Sequence, residues 1–285
     1  MTGSSEDQYI FSKEAADFII SKCSHRPKVG IVCGSGLGGI GETLTDITVI
    51  EYSEIPHFPV STVQGHAGRL LIGTLGNKTV MCMQGRFHPY EGHAMWKVAL
   101  PIRVMKLIGV ENLIVTNASG GINSEFNSGD IMIIRDHINF AGYGGSMNPL
   151  LGPNCDAFGT RFPSMNKAYN KGFGDRIIEI ADQLGFNSFV RQGIYVFCSG
   201  PAFESIAEIK MLKLFGGDCV GMSTIPEVIV AVHCGIKVLG LSVISNIAII
   251  DYGSEEVPNA DEVLAMVKIR SLDLQKLIIN FVESL

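Results

Sequence analysis

The chain has 285 residues, 46% of them hydrophobic, and a formal net charge of −6. So much apolar material can fill a large core and excludes a disordered chain. The acidic balance, with no basic block, excludes sequence-independent binding to nucleic acid.

The seven cysteines are scattered, with no C-x-x-C. They are expected to be reduced, buried thiols of a cytoplasmic protein rather than a disulfide framework. Cys219, His233 and Cys234 lack a fourth ligand at finger spacing, so no zinc site is expected. Residues 1–7 are polar and acidic, without the apolar core of a signal peptide.

The first strand-like run, 29–33, leads into Gly34-Ser35-Gly36-Leu37-Gly38-Gly39. Such a loop lets backbone N–H groups approach a phosphate closely, and Ser35 adds a hydroxyl. It also fits the dinucleotide pattern G-x-G-x-x-G, with Glu51 at a suitable distance. The segment before the next apolar run, 47–50, is too short for a crossover helix, so a nicotinamide cofactor is not expected. Further strands are expected at 69–73 and 79–83.

The run 78–84 ends in Gly85-Arg86-Phe87-His88-Pro89-Tyr90-Glu91-Gly92. Residues two apart on an extended segment point the same way, so Arg86 and His88 project together with Tyr90 next in the row. A bidentate cation beside a second donor suits an oxyanion, although a solvated surface turn would read the same in isolation.

A helix is expected over 91–106 and a strand over 112–116, ending in Asn117-Ala118-Ser119-Gly120-Gly121, which reads as a tight junction or a ligand-facing backbone. Strands at 131–134 and 194–198 bracket a helix at 177–184. The segments 142–153 and 159–171 read as long loops. Ser199 to Ser205 places Phe203 and Glu204 at a strand exit, an aromatic to stack on a ring and a carboxylate to accept from a base N–H. Ser205 and Glu208 also spell a capping box for a helix over 205–214.

Ser223 and Thr224 precede a helix at 226–233, where they could cap it or bind phosphate. Ser245-Asn246 closes the most apolar strand, 238–245, and a final helix spans 260–285. The apolar stretch 228–250 contains His233, Lys237 and Asn246, which would be costly in lipid, so no membrane span is expected. Strands alternating with helices predict an α/β fold: one domain over 1–285, a mixed central sheet with helices on both faces. The polar strand ends should converge at one edge of that sheet.

The motifs GSGLGG, QGHAGRL, GRFHPYEG, TNASGG, GPAFES and GMSTIPEV, in this order from about Gly30 to Leu264, make the chain resemble the low-molecular-mass, homotrimeric purine nucleoside phosphorylases. The resemblance implies phosphorolysis of a purine ribonucleoside to base and ribose 1-phosphate, in purine salvage, without metal or organic cofactor. It implies a phosphate site of Ser35, His66, Arg86, His88, the Ala118 backbone and Ser223. Tyr90 and Met222 would lie along the ribose, and Phe203, Glu204 and Asn246 would hold the base. Glu204, Asn246 and His88 would carry the chemistry. Phe158, in a Gly-bounded loop with no evident core role, would complete a neighbouring subunit's site.

The chain departs from that pattern in several places. Ala260 stands where the family has a His that meets the ribose 5′-hydroxyl. Ser245 replaces Thr, Gln64 replaces Pro, and Ala202 and Ser205 replace the usual Ser and Thr. Base and 5′ selectivity are therefore expected to be looser, extending to 5′-modified or pyrimidine nucleosides. A methylthioadenosine-type phosphorylase is the nearest alternative, although such enzymes usually carry Asp where Asn246 stands. A non-catalytic nucleoside-binding protein is the other.

Overall fold

The computed structural model describes residues 5–63, 65–145 and 147–285. In chain order it contains α1 (Ser5–Lys22), β1 (Val29–Cys33), β2 (Thr45–Glu51), β3 (Arg69–Leu75), β4 (Lys78–Gln84), α2 (Met95–Val98) and α3 (Leu100–Ile108). These are followed by β5 (Asn112–Gly121), β6 (Ile131–Ile138), α4 (Phe140–Tyr143), α5 (Lys171–Gln183) and β7 (Val190–Phe197). The chain closes with α6 (Ile206–Leu214), β8 (Cys219–Gly221), α7 (Ile225–His233), β9 (Lys237–Ile247) and α8 (Ala260–Glu283).

The strands form one mixed sheet in the order β2-β3-β4-β1-β5-β8-β7-β6-β9, and β9 also pairs with β5. The second half of the sheet therefore closes on itself as a ring, with β1, β4, β3 and β2 extending from β5 as an open wing. The expected mixed sheet is present; its closure is new. Both faces of the wing are covered. Val32, Met81, Met83 and Val115 pack on one side with residues of α1, α3 and α7. Ile31, Cys33, Cys82 and Ile114 pack on the other with α5 and α8. Burial on both faces is why these strands read as unbroken apolar runs.

The Gly-rich loop after β1 continues into a six-residue 3-10 helix, Gly38–Thr43. It leads to β2 at the far edge of the sheet, antiparallel to β3, so no β-α-β crossover follows the loop. The apolar stretch 228–250 divides between α7 and β9. Among the described residues, no helix is long and apolar enough to cross a membrane.

Three elements, α1, α4 and β8, had no counterpart in the sequence reading. α1 turns Gln8 and Ser12 into the core beside Ala15, Ala16 and Ile19, while Ile10 is exposed, so its apolar stripe is diluted. β8 is only three residues long. The expected tight junction at 117–121 is also corrected: β5 runs on through Gly121, held by β9 and β8. The pairing of β5 with β9 skips one residue, matching Ser119 with Ile244 but Gly120 with Asn246. Ser245 is thus a bulge, a device that re-aims the following side chain.

Candidate active site

The polar strand ends do converge. A cavity of about 380 Å³ is lined by Ser35, Arg86, His88, Tyr90, Ala118, Phe203, Glu204, Met222, Ser223, Asn246 and Ala260. That volume suits a small ligand. It opens at the C-terminal ends of β1, β4, β5 and β9, the edge where α/β sheets usually hold ligands.

Arg86 anchors one end of the cavity. Its side chain is 1% exposed. Nε donates to Glu227 Oε1 at 2.9 Å, and Nη1 donates to the Thr116 carbonyl at 2.6 Å and to Ser223 Oγ at 3.3 Å. Nη2 is buried and has no partner among the described residues. A buried cation must be neutralised and its donors satisfied. Glu227 meets the first demand, while Nη2 still calls for an acceptor.

His66 does not line the cavity but stands directly behind it. Its Nε2 lies 3.1 Å from Ser35 Oγ, and its Nδ1 lies 3.1 Å from the Arg86 carbonyl. With Nδ1–H donating to that carbonyl, Nε2 accepts from Ser35. His66, His88 and Tyr90 form a stack, with centroid separations of 5.4 and 4.5 Å. Burial, with the charge of His88 and Arg86 nearby, lowers His66 from 6.5 to about 4. Burial also lowers His88, against the opposing hydrogen bond that it donates to Glu91. Both rings are therefore neutral at neutral pH. They add no charge next to Arg86.

Glu91 holds this corner together. Oε1 accepts from the His88 backbone at 2.7 Å, and Oε2 accepts from the Thr62 backbone and hydroxyl at 2.7 and 2.8 Å. Burial alone would raise its carboxyl; the bonds from His88 and Thr62 outweigh it and hold the group at about 2.

The other end of the cavity carries Glu204 and Asn246. Glu204 Oε1 is buried without a partner among the described residues. Burial, assisted by Glu208, raises its carboxyl above the ordinary 4.5 despite hydrogen bonds that lower it. Ser245 Oγ is 2.9 Å from Asn246 Oδ1 and 3.1 Å from the Ser119 carbonyl. Occupying Oδ1 leaves the Asn246 amide N–H₂ as the group free to donate. Phe203 is 48% exposed at the rim. Ser205 caps α6 in a capping box with Glu208, as expected. Ala260 is the first residue of α8, capped by Asn259.

Phe158 is not among these residues. It is 6% exposed, tilted on Tyr9 at 5.9 Å, with the Arg103 guanidinium 5.4 Å from its ring. The expectation that it lacks a core role is overturned, because its loop folds back onto α1 and α3. Gln64 lies outside the described residues. Thr224, expected as an N-cap, makes no side-chain capping bond. Sequence reasoning missed Glu227, Glu91, Thr116 and Asn117. Glu227 had a signal: a carboxylate in an otherwise apolar helix must have a buried partner.

The profile of the Phosphorylase superfamily matches residues 28–283. A purine nucleoside phosphorylase of Bos taurus is 50% identical over 252 residues, 88% of this chain and 87% of its own. The chain belongs to the phosphorylase superfamily, among the purine nucleoside phosphorylases. Solved relatives agree in fold. Schistosoma mansoni purine nucleoside phosphorylase in complex with inosine superposes with a TM-score of 0.93 at 44% identity, over 97% of this chain and 96% of that one. Isoform 2 from the same organism, in complex with cytosine and ribose-1-phosphate, gives 0.93 at 45% identity, over 97% of both chains.

The depressed His66 makes a prediction with a definite sign. Between pH 6.5 and 4 the unfolded chain binds that proton before the folded one does, so stability falls with pH there. The contribution is complete above 6.5 and lost on descent through about 4. The unfolding temperature of the protein is expected to fall relative to that of His66→Gln across this window. A difference independent of pH would mean that His66 is not held neutral.

Proposed function

We propose that the chain cleaves purine ribonucleosides of the inosine and guanosine type with inorganic phosphate, giving free base and ribose 1-phosphate. The observation that carries this reading is a single cavity with unmet hydrogen-bonding demand at both ends: buried donor Nη2 of Arg86 at one, buried acceptor Oε1 of Glu204 at the other. Phosphate answers the first and a base N–H the second. A 6-oxopurine nucleoside together with phosphate would answer both.

The chemistry follows from that placement. As the bond from ribose to base breaks, its electron pair goes to the base and positive charge develops on the sugar. Asn246 donates to the ring nitrogen that gains charge, and Glu204 grips the base N–H. Phosphate, held by Arg86, His88, Ser35, Ser223 and the Ala118 backbone, stabilises the sugar cation and then forms the new C–O bond. Tyr90 and Met222 flank the ribose. The work is positioning and electrostatic preorganisation, so the proposal needs neither a protein nucleophile nor a metal or organic cofactor.

Relaxed selectivity is part of the proposal. Ala260 lines the cavity with a methyl group in place of a hydrogen-bonding side chain, and the relative in complex with cytosine favours some tolerance of pyrimidines. A homotrimer acting in purine salvage in the cytoplasm completes the reading. The exposed Tyr143 and Phe162, 77% and 85% accessible, offer apolar surface for a neighbour to cover. Sedimentation at assay concentration is expected to show a trimer, and an active monomer would remove that part.

Product analysis with inosine and guanosine is expected to show cleavage only when phosphate or arsenate is present. Equal turnover without either would refute phosphorolysis. Ala260→His is expected to lower KM for inosine several-fold, since a hydrogen bond to a hydroxyl contributes about 1 kcal/mol. KM for 5′-deoxyinosine should hardly change. An unchanged preference between the two would mean that position 260 does not face the 5′ group.

A further inference from the structure

Thr224 joins β8 to α7 with φ 76° and ψ −50°. It is fully buried. The Ile225 N–H donates to the Ser223 carbonyl at 2.8 Å, closing a γ-turn centred on Thr224. This φ-positive γ-turn is rare and strained, and a β-branched residue is poorly suited to it. Strain of this kind persists only where the surroundings over-determine it, and it gathers at functional sites.

The surroundings do so here. Asn117 Nδ2 donates to Thr224 Oγ1 at 2.8 Å, and Ser223 Oγ is 3.1 Å from the same oxygen. Asn117 is itself fixed, because its Oδ1 accepts from Ser242 Oγ at 2.6 Å. The turn has a geometric consequence. Ser223 before it and Glu227 after it both reach one guanidinium, that of Arg86. A different backbone conformation at 224 would change how Ser223, which lines the cavity, is placed relative to Glu227.

We propose that Thr224 is a positioning residue, whose clamped γ-turn holds the Ser223 hydroxyl and the Arg86 guanidinium in register for phosphate. This rests on the phosphorolytic reading above. The residue touches no substrate; it acts through Ser223 and Arg86. Its strained backbone and its hydroxyl are separable by substitution, since glycine adopts positive φ freely whereas alanine does not.

The test compares Thr224→Gly, Thr224→Ala and Thr224→Ser with the unaltered protein, by thermal unfolding and by steady-state kinetics with inosine and inorganic phosphate. Glycine is ordinarily the less stabilising of the first two because it loses more entropy on folding. Here Thr224→Gly is expected to unfold at a higher temperature than Thr224→Ala. Both should raise KM for phosphate about tenfold, the scale of a lost buried hydrogen-bonding partner. KM for inosine should stay within about twofold, and Thr224→Ser, which keeps the hydroxyl for Asn117, should restore most of the phosphate KM. A variant that fails only by misfolding would not show this split, and the serine variant would not rescue it selectively. Thr224→Ala unfolding at or above the temperature of Thr224→Gly would remove the strain. An unchanged phosphate KM in both variants, beside normal phosphate-dependent turnover of the unaltered protein, would overturn the positioning role. If the unaltered protein showed no phosphate dependence, the functional reading itself would fall, and the positioning role with it.

Discussion

A guanidinium that is 1% exposed sets the terms for the rest of this site. Removing such an ion from water costs several kcal/mol, and only well-aimed partners repay it. Glu227 supplies the counter-charge from the first turn of α7, and the middle of β5 supplies the Thr116 carbonyl. Strand end, helix start and sheet centre are thus tied to one side chain. Removing Glu227 would leave that charge buried alone, which costs more than an ordinary contact. The same constraint leaves Nη2 of a residue that lines the cavity without an acceptor among the described residues. Fold and function meet at that donor, which a bound anion would satisfy.

The other charges are arranged around that cation so as not to compete with it. His66 and His88 are desolvated and held neutral, so they do not repel Arg86. Glu91, held ionised at about 2, is bonded to the loops that carry the two rings rather than turned on the cavity. At the far end, Glu204 is raised by burial, a carboxyl poised to accept from a polar ligand that displaces water. Asn246 reaches the same end because the bulge at Ser245 redirects it, and the Ser245 hydroxyl orients its amide. On the proposed reading, the charge separation of the reaction, positive on sugar and negative on base, would be met by groups already in place.

Much of this was legible in the sequence. The strand runs 29–33, 79–83 and 238–245 were visible as uninterrupted apolar segments because helices cover both faces. The site residues stood out as polar side chains at the ends of those strands. What escaped notice depended on long-range pairing. Nothing local to 117–121 tells that β9 extends β5 by another turn of the pleat, or that Ser245 bulges. α1 was hidden because it buries Gln8 and Ser12, against the rule that buried faces are apolar. Phe158 was misjudged for a related reason: a Gly-bounded aromatic reads as exposed, and its cover comes from residues distant in the chain, Tyr9 and Arg103. Glu227 was readable in principle, but its partner lies 141 residues away.

The most direct test of this account is a crystal structure of the protein with phosphate and a slowly cleaved inosine analogue. The account predicts a phosphate oxygen at about 2.9 Å from Arg86 Nη2, with Ser35, His88 and Ser223 around the same anion and the base against Glu204 and Asn246. An anion bound elsewhere, with Nη2 still lacking an acceptor, would contradict it.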